Sequence, residues 1–198
     1  MTIRAHRIRS APIIHQGLCP SLHDNINGPS LVHRPDWAPG PGRYLLFFGH
    51  HTGRHIRLAF ADRRDGPWTV HAPGVLPLSD TPLTRSTPNV PQPDWALQQG
   101  VDGLYPHLAS PDVWIDDVAR CFRMLFHGLA DHGEQVSYAA WSTDGLAWSV
   151  EGEPINATYL RRFVLDGRFY AMGHGGELLR LTDGGADHGP RLIPRPIR

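Results

Sequence analysis

The sequence predicts an all-β fold, a partial β-propeller of about three four-stranded antiparallel blades, and three observations carry that prediction. Between residues 113 and 150 the chain breaks into four short apolar runs separated by polar or glycine-containing turns, the pattern of a meandering antiparallel sheet. The same unit recurs before and after it, at the spacing of about 40–50 residues that repeated sheets show. Landmarks recur with it. Phe48-Gly49-His50, Phe126-His127-Gly128 and Met172-Gly173-His174 close the second runs, and Asp65-Gly66-Pro67-Trp68 matches Asp144-Gly145-Leu146-Ala147-Trp148 ahead of the fourth. A lone sheet of this kind cannot bury both faces, so stacked neighbours are required, and their radial stacking is a propeller. A face-packed β-sandwich with chance similarity is the competing reading.

The 198 residues form one domain, 1–198, with blades at about 28–75, 107–154 and 155–195 and a long loop at 79–106. In the first blade the runs are 30–34, 43–49, 56–61 and 68–71; in the second 113–115, 121–126, 135–141 and 147–150, with His127-Gly128 ending the second run; in the third 159–165, 168–172, 177–181 and 191–193. Residues 11–14 are an apolar patch that reads as a lone strand able to complete the last blade. The 35–42 connection is rich in Pro and Gly, and its Trp37 is either a stacking ring or a cap over the blade edge. Five prolines interrupt 79–106, which reads as a structural wrap or a functional lid. Asp166-Gly167 is a two-residue hairpin turn. Asp116, Asp117 and Asp166 fall in outer turns and read as solvated.

Composition excludes several function classes. Net charge is zero, so nothing electrostatic recommends nucleic acid or an anionic membrane as a partner. All 19 basic residues are arginine, which removes Schiff-base chemistry, lysine-anchored pyridoxal phosphate and a P-loop lysine. Cys19 and Cys121 are too few for a disulfide framework or a thiolate zinc site, and Cys121, in a strand, is expected as a buried free thiol. The 11–14 patch is too short for a signal-peptide core and no run reaches membrane-spanning length, so a cytoplasmic location is expected.

In an up-and-down blade the start of the first strand and the end of the second share one edge. The repeat therefore collects Asn27-Gly28-Pro29-Ser30, Ser110-Pro111-Asp112 and Asn156-Ala157-Thr158 with His50, His51, His127 and His174 around one axis. Each also has a structural reading: a histidine there can be a hydrogen-bonded core residue, and Asp112 can satisfy backbone groups at the strand start. Ser142-x-Asp144-Gly145-x-x-Trp148 is a turn with an aromatic anchor between sheets, and it resembles the Asp-box turns of sialidase-type propellers. There is no Gly-x-Ser-x-Gly elbow, no His-Glu-x-x-His and no dinucleotide fingerprint.

Residues 25–32, 44–51, 56–62 and 107–113, with Phe126-His127-Gly128, resemble the propeller glycosidases of the glycoside hydrolase family 43 type. That resemblance implies a five-bladed propeller, no cofactor with room for a structural divalent cation on the axis, and inverting cleavage of arabinosides, xylosides or galactosides in plant- or algal-type carbohydrates. It also implies an aspartate before the proline opening each of two blades and a glutamate opening the third. This chain departs at all three places: Gly28 precedes Pro29, Ser110 precedes Pro111, and Asn156-Ala157 opens the third blade. Asp24 and Asp112 are the nearby substitutes, and Glu153 is the acid upstream of the third blade.

The sequence thus points to a glycoside hydrolase-like protein, with a non-catalytic carbohydrate-binding propeller or an inactive fragment as the alternatives. Asp112 is the expected carboxylate and His127 or His51 the proton carrier. Asn27, His50 and His107 are expected to bind substrate, with Arg54 or Arg57 available for a carboxylated sugar. Three blades where five are implied leave sheet edges open, so homo-oligomers through those edges, or blades from a partner, are expected.

Overall fold

The protein, in a computed structural model, is described for all residues except 1–3, 8, 23–24, 51, 102, 183–192 and 197–198. It folds into three four-stranded antiparallel sheets, each built from consecutive strands. The first contains β1 (Ile26–His33), β2 (Tyr44–His50), β3 (His55–Ala61) and β4 (Thr69–Pro77). The second contains β5 (Leu108–Asp116), β6 (Cys121–Leu129), β7 (Gln135–Ser142) and β8 (Ser149–Ile155). The third contains β9 (Arg161–Leu165), β10 (Arg168–Met172), β11 (Leu178–Thr182) and β12 (Ile193–Pro196). This is the blade arrangement of a partial propeller. The only α-helix among the described residues is the short α1 (Asp94–Gln98), inside the 79–106 connection.

Period-two alternation sends neighbouring side chains to opposite sheet faces, and here each face has its own cover. Leu45 and Phe47 of β2 join Ile56 and Leu58 of β3 against Phe122, Met124 and Phe126 of β6. The intervening β6 residue Leu125 packs the other way, with Ala139, onto Leu160 just ahead of the third sheet and onto Ala171, Leu179 and Leu181 within it. With a sheet on either side, all nine residues of β6 are buried. The opposite face of the first sheet, Leu46, Phe48, Ala59, Ala61 and Trp68, is covered by Ile13, Ile14, Cys19 and Leu22.

That cover corrects the expectation for residues 11–14. They are not a strand and complete no blade; the segment is instead a strap. Arg57 holds it, donating to the Ser21 carbonyl at 3.0 Å and to Ser21 Oγ at 2.7 Å, while Arg9 donates to the Asp65 carbonyl at 3.0 Å. A second correction concerns His127-Gly128, which lie within β6 and pair with Ser137 and Val136. Glycine is needed there for close approach rather than for a turn: a Cβ at position 128 would stand 2.3 Å from the His107 carbonyl oxygen.

The turns follow their sequence chemistry. Asp144 Oδ1 accepts from the amides of Leu146 and Ala147 at 2.8 and 2.9 Å, Ser142 Oγ accepts from Gly145 N–H at 2.8 Å, and the Trp148 indole donates to the Gly145 carbonyl at 3.1 Å. Trp148 then meets Phe47 of the first sheet edge-on at 5.7 Å, so the turn anchors two blades together. Asp166 and Gly167 both have positive φ, +48° and +71°, as a tight hairpin turn demands. Two of the three outer-turn aspartates are not simply solvated. Asp117 accepts the Trp37 indole N–H at 3.1 Å, which makes Trp37 a cap between blades, and Asp116 accepts from Ala119 N–H at 2.9 Å. Cys121 is a buried free thiol. Among the described residues no helix is long and apolar enough to cross a membrane.

Candidate functional site

The first strands of the first two sheets meet at their starts, and both are bulged there. Register shifts fall between Asn27 and Ser30 in β1 and between Ala109 and Asp112 in β5. Gly28 (φ +58°) and Ser110 (φ +51°) occupy the bulges, and Tyr159 (φ +54°) stands just ahead of β9. The bulges press on one another: a Cβ at position 28 would lie 2.7 Å from Ser110 Cα. No carboxylate fits at Gly28 unless the second sheet moves.

The residue that follows each bulge reaches the next blade. Ser30 Oγ accepts from Val113 N–H at 2.8 Å, and Asp112 Oδ2 accepts from Arg162 N–H at 2.7 Å. Arg161 adds a longer ion pair to Asp112 at 3.6 Å and donates to the Pro111 carbonyl at 2.6 Å. Asp112 therefore occupies in the second blade the place that Ser30 occupies in the first, joining one blade to the next through a backbone amide. Burial pushes its carboxyl pKa up, against the opposing pull of the Arg162 amide and the Arg161 and Arg162 charges.

Two adjoining cavities open beside these strand starts. The outer one has a volume of about 380 Å³ and lies between the second and third sheets. Its wall carries the rings of Trp95 and Tyr159, the amides of Gln99, Gln135 and Asn156, the Thr158 hydroxyl, His132 and His174, and the carboxylates of Glu134 and Glu177. Glu177 Oε2 accepts from Gly175 N–H at 2.9 Å. The inner cavity is only about 30 Å³ and is lined by Asn27, Tyr105, His107, Ser110 and His127. Trp95, Gln99, Gln135 and Tyr159 border both.

A row of rings runs through this region. Tyr105 and His107 are 5.2 Å apart, His107 and His127 5.8 Å, His127 and Tyr159 4.2 Å, and Tyr159 and His174 5.2 Å. His127 is only 1% exposed. Burial, with the neighbouring His107, holds its imidazole pKa down to about 3, so it is neutral at physiological pH. Neither ring nitrogen of His127 has a hydrogen-bond partner among the described residues. His107 is held differently, with Nδ1 3.0 Å from the Tyr105 carbonyl.

The structure therefore gathers Asn27, His107 and His127 of the expected site residues. Asp112, His50, Arg54 and Arg57 line neither cavity. Arg57 is turned to the opposite face of its sheet by its bonds to Ser21, since β3 alternates and its apolar neighbours Ile56 and Leu58 face the second sheet. His51 and Asp24 lie outside the described residues. Trp95, Gln99, Gln135 and Tyr159 were not singled out in the sequence, although the 79–106 segment that carries the first two was marked as a wrap or a lid. It does both. Thr84 N–H donates to the Leu129 carbonyl at 2.9 Å and the Trp95 indole to the Gly133 carbonyl at 3.3 Å, fixing the segment while its helix walls the cavities. Among the described residues no group of three or more His, Cys, Asp or Glu side chains is placed to hold a metal ion.

No family model matches the chain. It is 33% identical over 171 residues to an uncharacterized protein of Acanthamoeba polyphaga mimivirus, a match that takes in 81% of this chain and 45% of the viral protein. The chain thus spans about half the length of that curated relative. Among solved structures it is similar to a GH43 β-xylosidase/α-arabinofuranosidase from a compost microbial metagenome, with a TM-score of 0.54, 16% identity, and coverage of 84% of this chain and 46% of that one. It is also similar to an exo-β-1,3-galactanase from Clostridium thermocellum, with a TM-score of 0.55, 11% identity, and coverage of 85% and 36%. At these identities the likeness is one of fold: the sheets are arranged as in the glycosidase propellers of the glycoside hydrolase family 43 type.

Proposed function

We propose that the protein is a carbohydrate-active propeller of the glycosidase type, and that a sugar lies in the outer cavity between the second and third sheets. The observation that carries this reading is the wall of that cavity. Trp95 and Tyr159 offer rings for the apolar face of a sugar, and Gln99, Gln135, Asn156 and Thr158 offer the neutral donors and acceptors that hydroxyls need. At about 380 Å³ the cavity falls in the range of about 300–1,000 Å³ typical of small-ligand sites.

Hydrolysis of a glycosidic bond is the further step. Among the described residues, Glu134 and Glu177 are the carboxylates in the cavity wall. In an inverting reaction one would take a proton from the attacking water while the other protonated the departing glycosidic oxygen. A second reading, binding without hydrolysis, is favoured by one specific observation: the bulge at Gly28 against Ser110 leaves no space for an aspartate where the resemblance puts one. The test is calorimetric titration with xylo-, arabino- and galacto-oligosaccharides, alongside release of nitrophenol from the matching aryl glycosides. Binding that weakens at least tenfold in Trp95→Ala supports the site. Turnover lost in Glu177→Gln or Glu134→Gln supports hydrolysis, and binding without turnover supports the second reading. If none of these sugars binds, the proposal fails.

A further inference from the structure

Resting on the sugar-binding reading, we propose that the inner cavity is a recognition pocket for one uncharged hydroxyl of the ligand, held by the ring nitrogens of His127. Three features of the pocket point there. The first is His127 itself, 1% exposed and with both nitrogens unpartnered among the described residues. Buried polar atoms are almost always hydrogen-bonded, because leaving one unpaired forfeits its hydration with nothing in return. A neutral imidazole presents one donor and one acceptor, the complement of a hydroxyl, which also does both.

The second feature is size. At about 30 Å³ the cavity admits no sugar ring. It does admit a hydroxyl or a hydroxymethyl arm, since roughly 10–15 Å³ of filled space is enough to hold a water molecule. The third is charge. Asn27, Tyr105 and Ser110 line the cavity beside His107 and His127, and among the described residues no Asp, Glu or Arg belongs to its lining. An ammonium placed there would be desolvated with no carboxylate among those lining residues, a cost that a hydroxyl avoids. Because Trp95 and Tyr159 border both cavities, a ring lying in the outer one can send a single arm into the inner one.

The test is a deoxy scan by calorimetry on the 198-residue chain. Methyl glycosides of galactose, xylose and arabinose are compared with each of their monodeoxy derivatives. One hydroxyl should stand out, its removal weakening binding by about 10- to 100-fold, the conversion of a lost buried hydrogen bond. In His127→Phe the same removal should change affinity less than about threefold, because the partner is already gone. His127→Gln, which keeps a donor and an acceptor, should restore part of the discrimination. Asn27→Ala, at a half-buried position, reports on the pocket if His127→Phe does not fold. A flat scan in the wild-type chain, with the parent sugars bound, overturns this inference, assigns the cavity to a water molecule, and leaves the proposed function standing. Absence of binding by every parent sugar overturns both.

Discussion

The first and third sheets each turn one face away from the second, and the two outward faces have opposite fates. On the first sheet, Phe48 is 1% exposed and Ala59 0%, because residues 13–22 lie across them and Arg57 ties the strap down. On the third, Phe163 and Tyr170 stack on each other at 5.6 Å, and Met172 beside them is 52% exposed. Both faces come from the same alternating strand pattern. The difference lies in the cover, and a segment that belongs to no sheet, with a single short 3-10 turn at Gln16–Leu18, decides it. The apolar area kept from water, at about 25 cal/mol per Å², is therefore concentrated around the first two sheets. The third sheet is held on one side, by the cluster around Leu125 and by the Asp112–Arg162 bond.

The largest effect that sharpens this contrast is a core truncation. Phe126→Ala, in the packed layer between the first two sheets, should lower unfolding free energy by about 3–5 kcal/mol, whereas Tyr170→Ala on the open face should lower it by less than about 1 kcal/mol. Denaturant titration of both variants checks this, and equal losses would break the contrast.

Next in size is the acid response of the second-to-third sheet boundary. In the unfolded chain His127 takes up its proton near 6.5, but in the folded protein only near 3. Between those values the unfolded state binds more protons, so stability falls as pH drops through 6.5. Its contribution is roughly 3 kcal/mol by pH 4, at about 1.36 kcal/mol for each unit between the two pKa values that has been crossed. His127→Phe should flatten this limb in thermal melts recorded from pH 7 to pH 4. An unchanged slope would mean that the imidazole is not kept neutral.

Smaller, and local, is the effect of Asp112→Ala. Freeing the Arg162 amide should cost about 1–3 kcal/mol, felt in the third sheet. Hydrogen exchange should quicken in β9 and β10 and stay unchanged in β2 and β6. Uniform quickening would show that the third sheet is not a separable unit. The smallest effect on stability is expected from Met172→Arg, within about 0.5 kcal/mol. Light scattering should nonetheless show less self-association than in the wild-type chain, since the substitution charges an exposed apolar face.

Much of the fold was legible because its signals are local. The runs 121–126 and 135–141 fall inside β6 and β7, and Ser142, Asp144 and Trp148 form the anchored turn that their spacing suggests. Strand ends were harder to read. β5 begins at Leu108, five residues before the apolar run that marks it, because Ser110-Pro111 looks like a break and is in fact a bulge. The candidate site was legible only in part. Asn27, His107 and His127 were found through the repeat, which brings equivalent positions to one edge. Trp95 and Gln99 could not be placed that way, since their segment belongs to no repeat.

By itself, then, the sequence determined the blades, their order and the edge where polar residues collect. Alternation, turn chemistry and spacing act over a few residues and do not depend on what lies across the fold. Only the tertiary structure decided what each polar residue at that edge does. Asp112 and His127 sit in matching kinds of position along the chain, yet one lies against the Arg162 amide and the other in a cavity with neither nitrogen paired. Arg57, equally available on paper, faces the strap. Those outcomes turn on which neighbour stands within about 3 Å, the range over which a hydrogen bond forms, and contacts of that range between distant segments exist only once the sheets have packed.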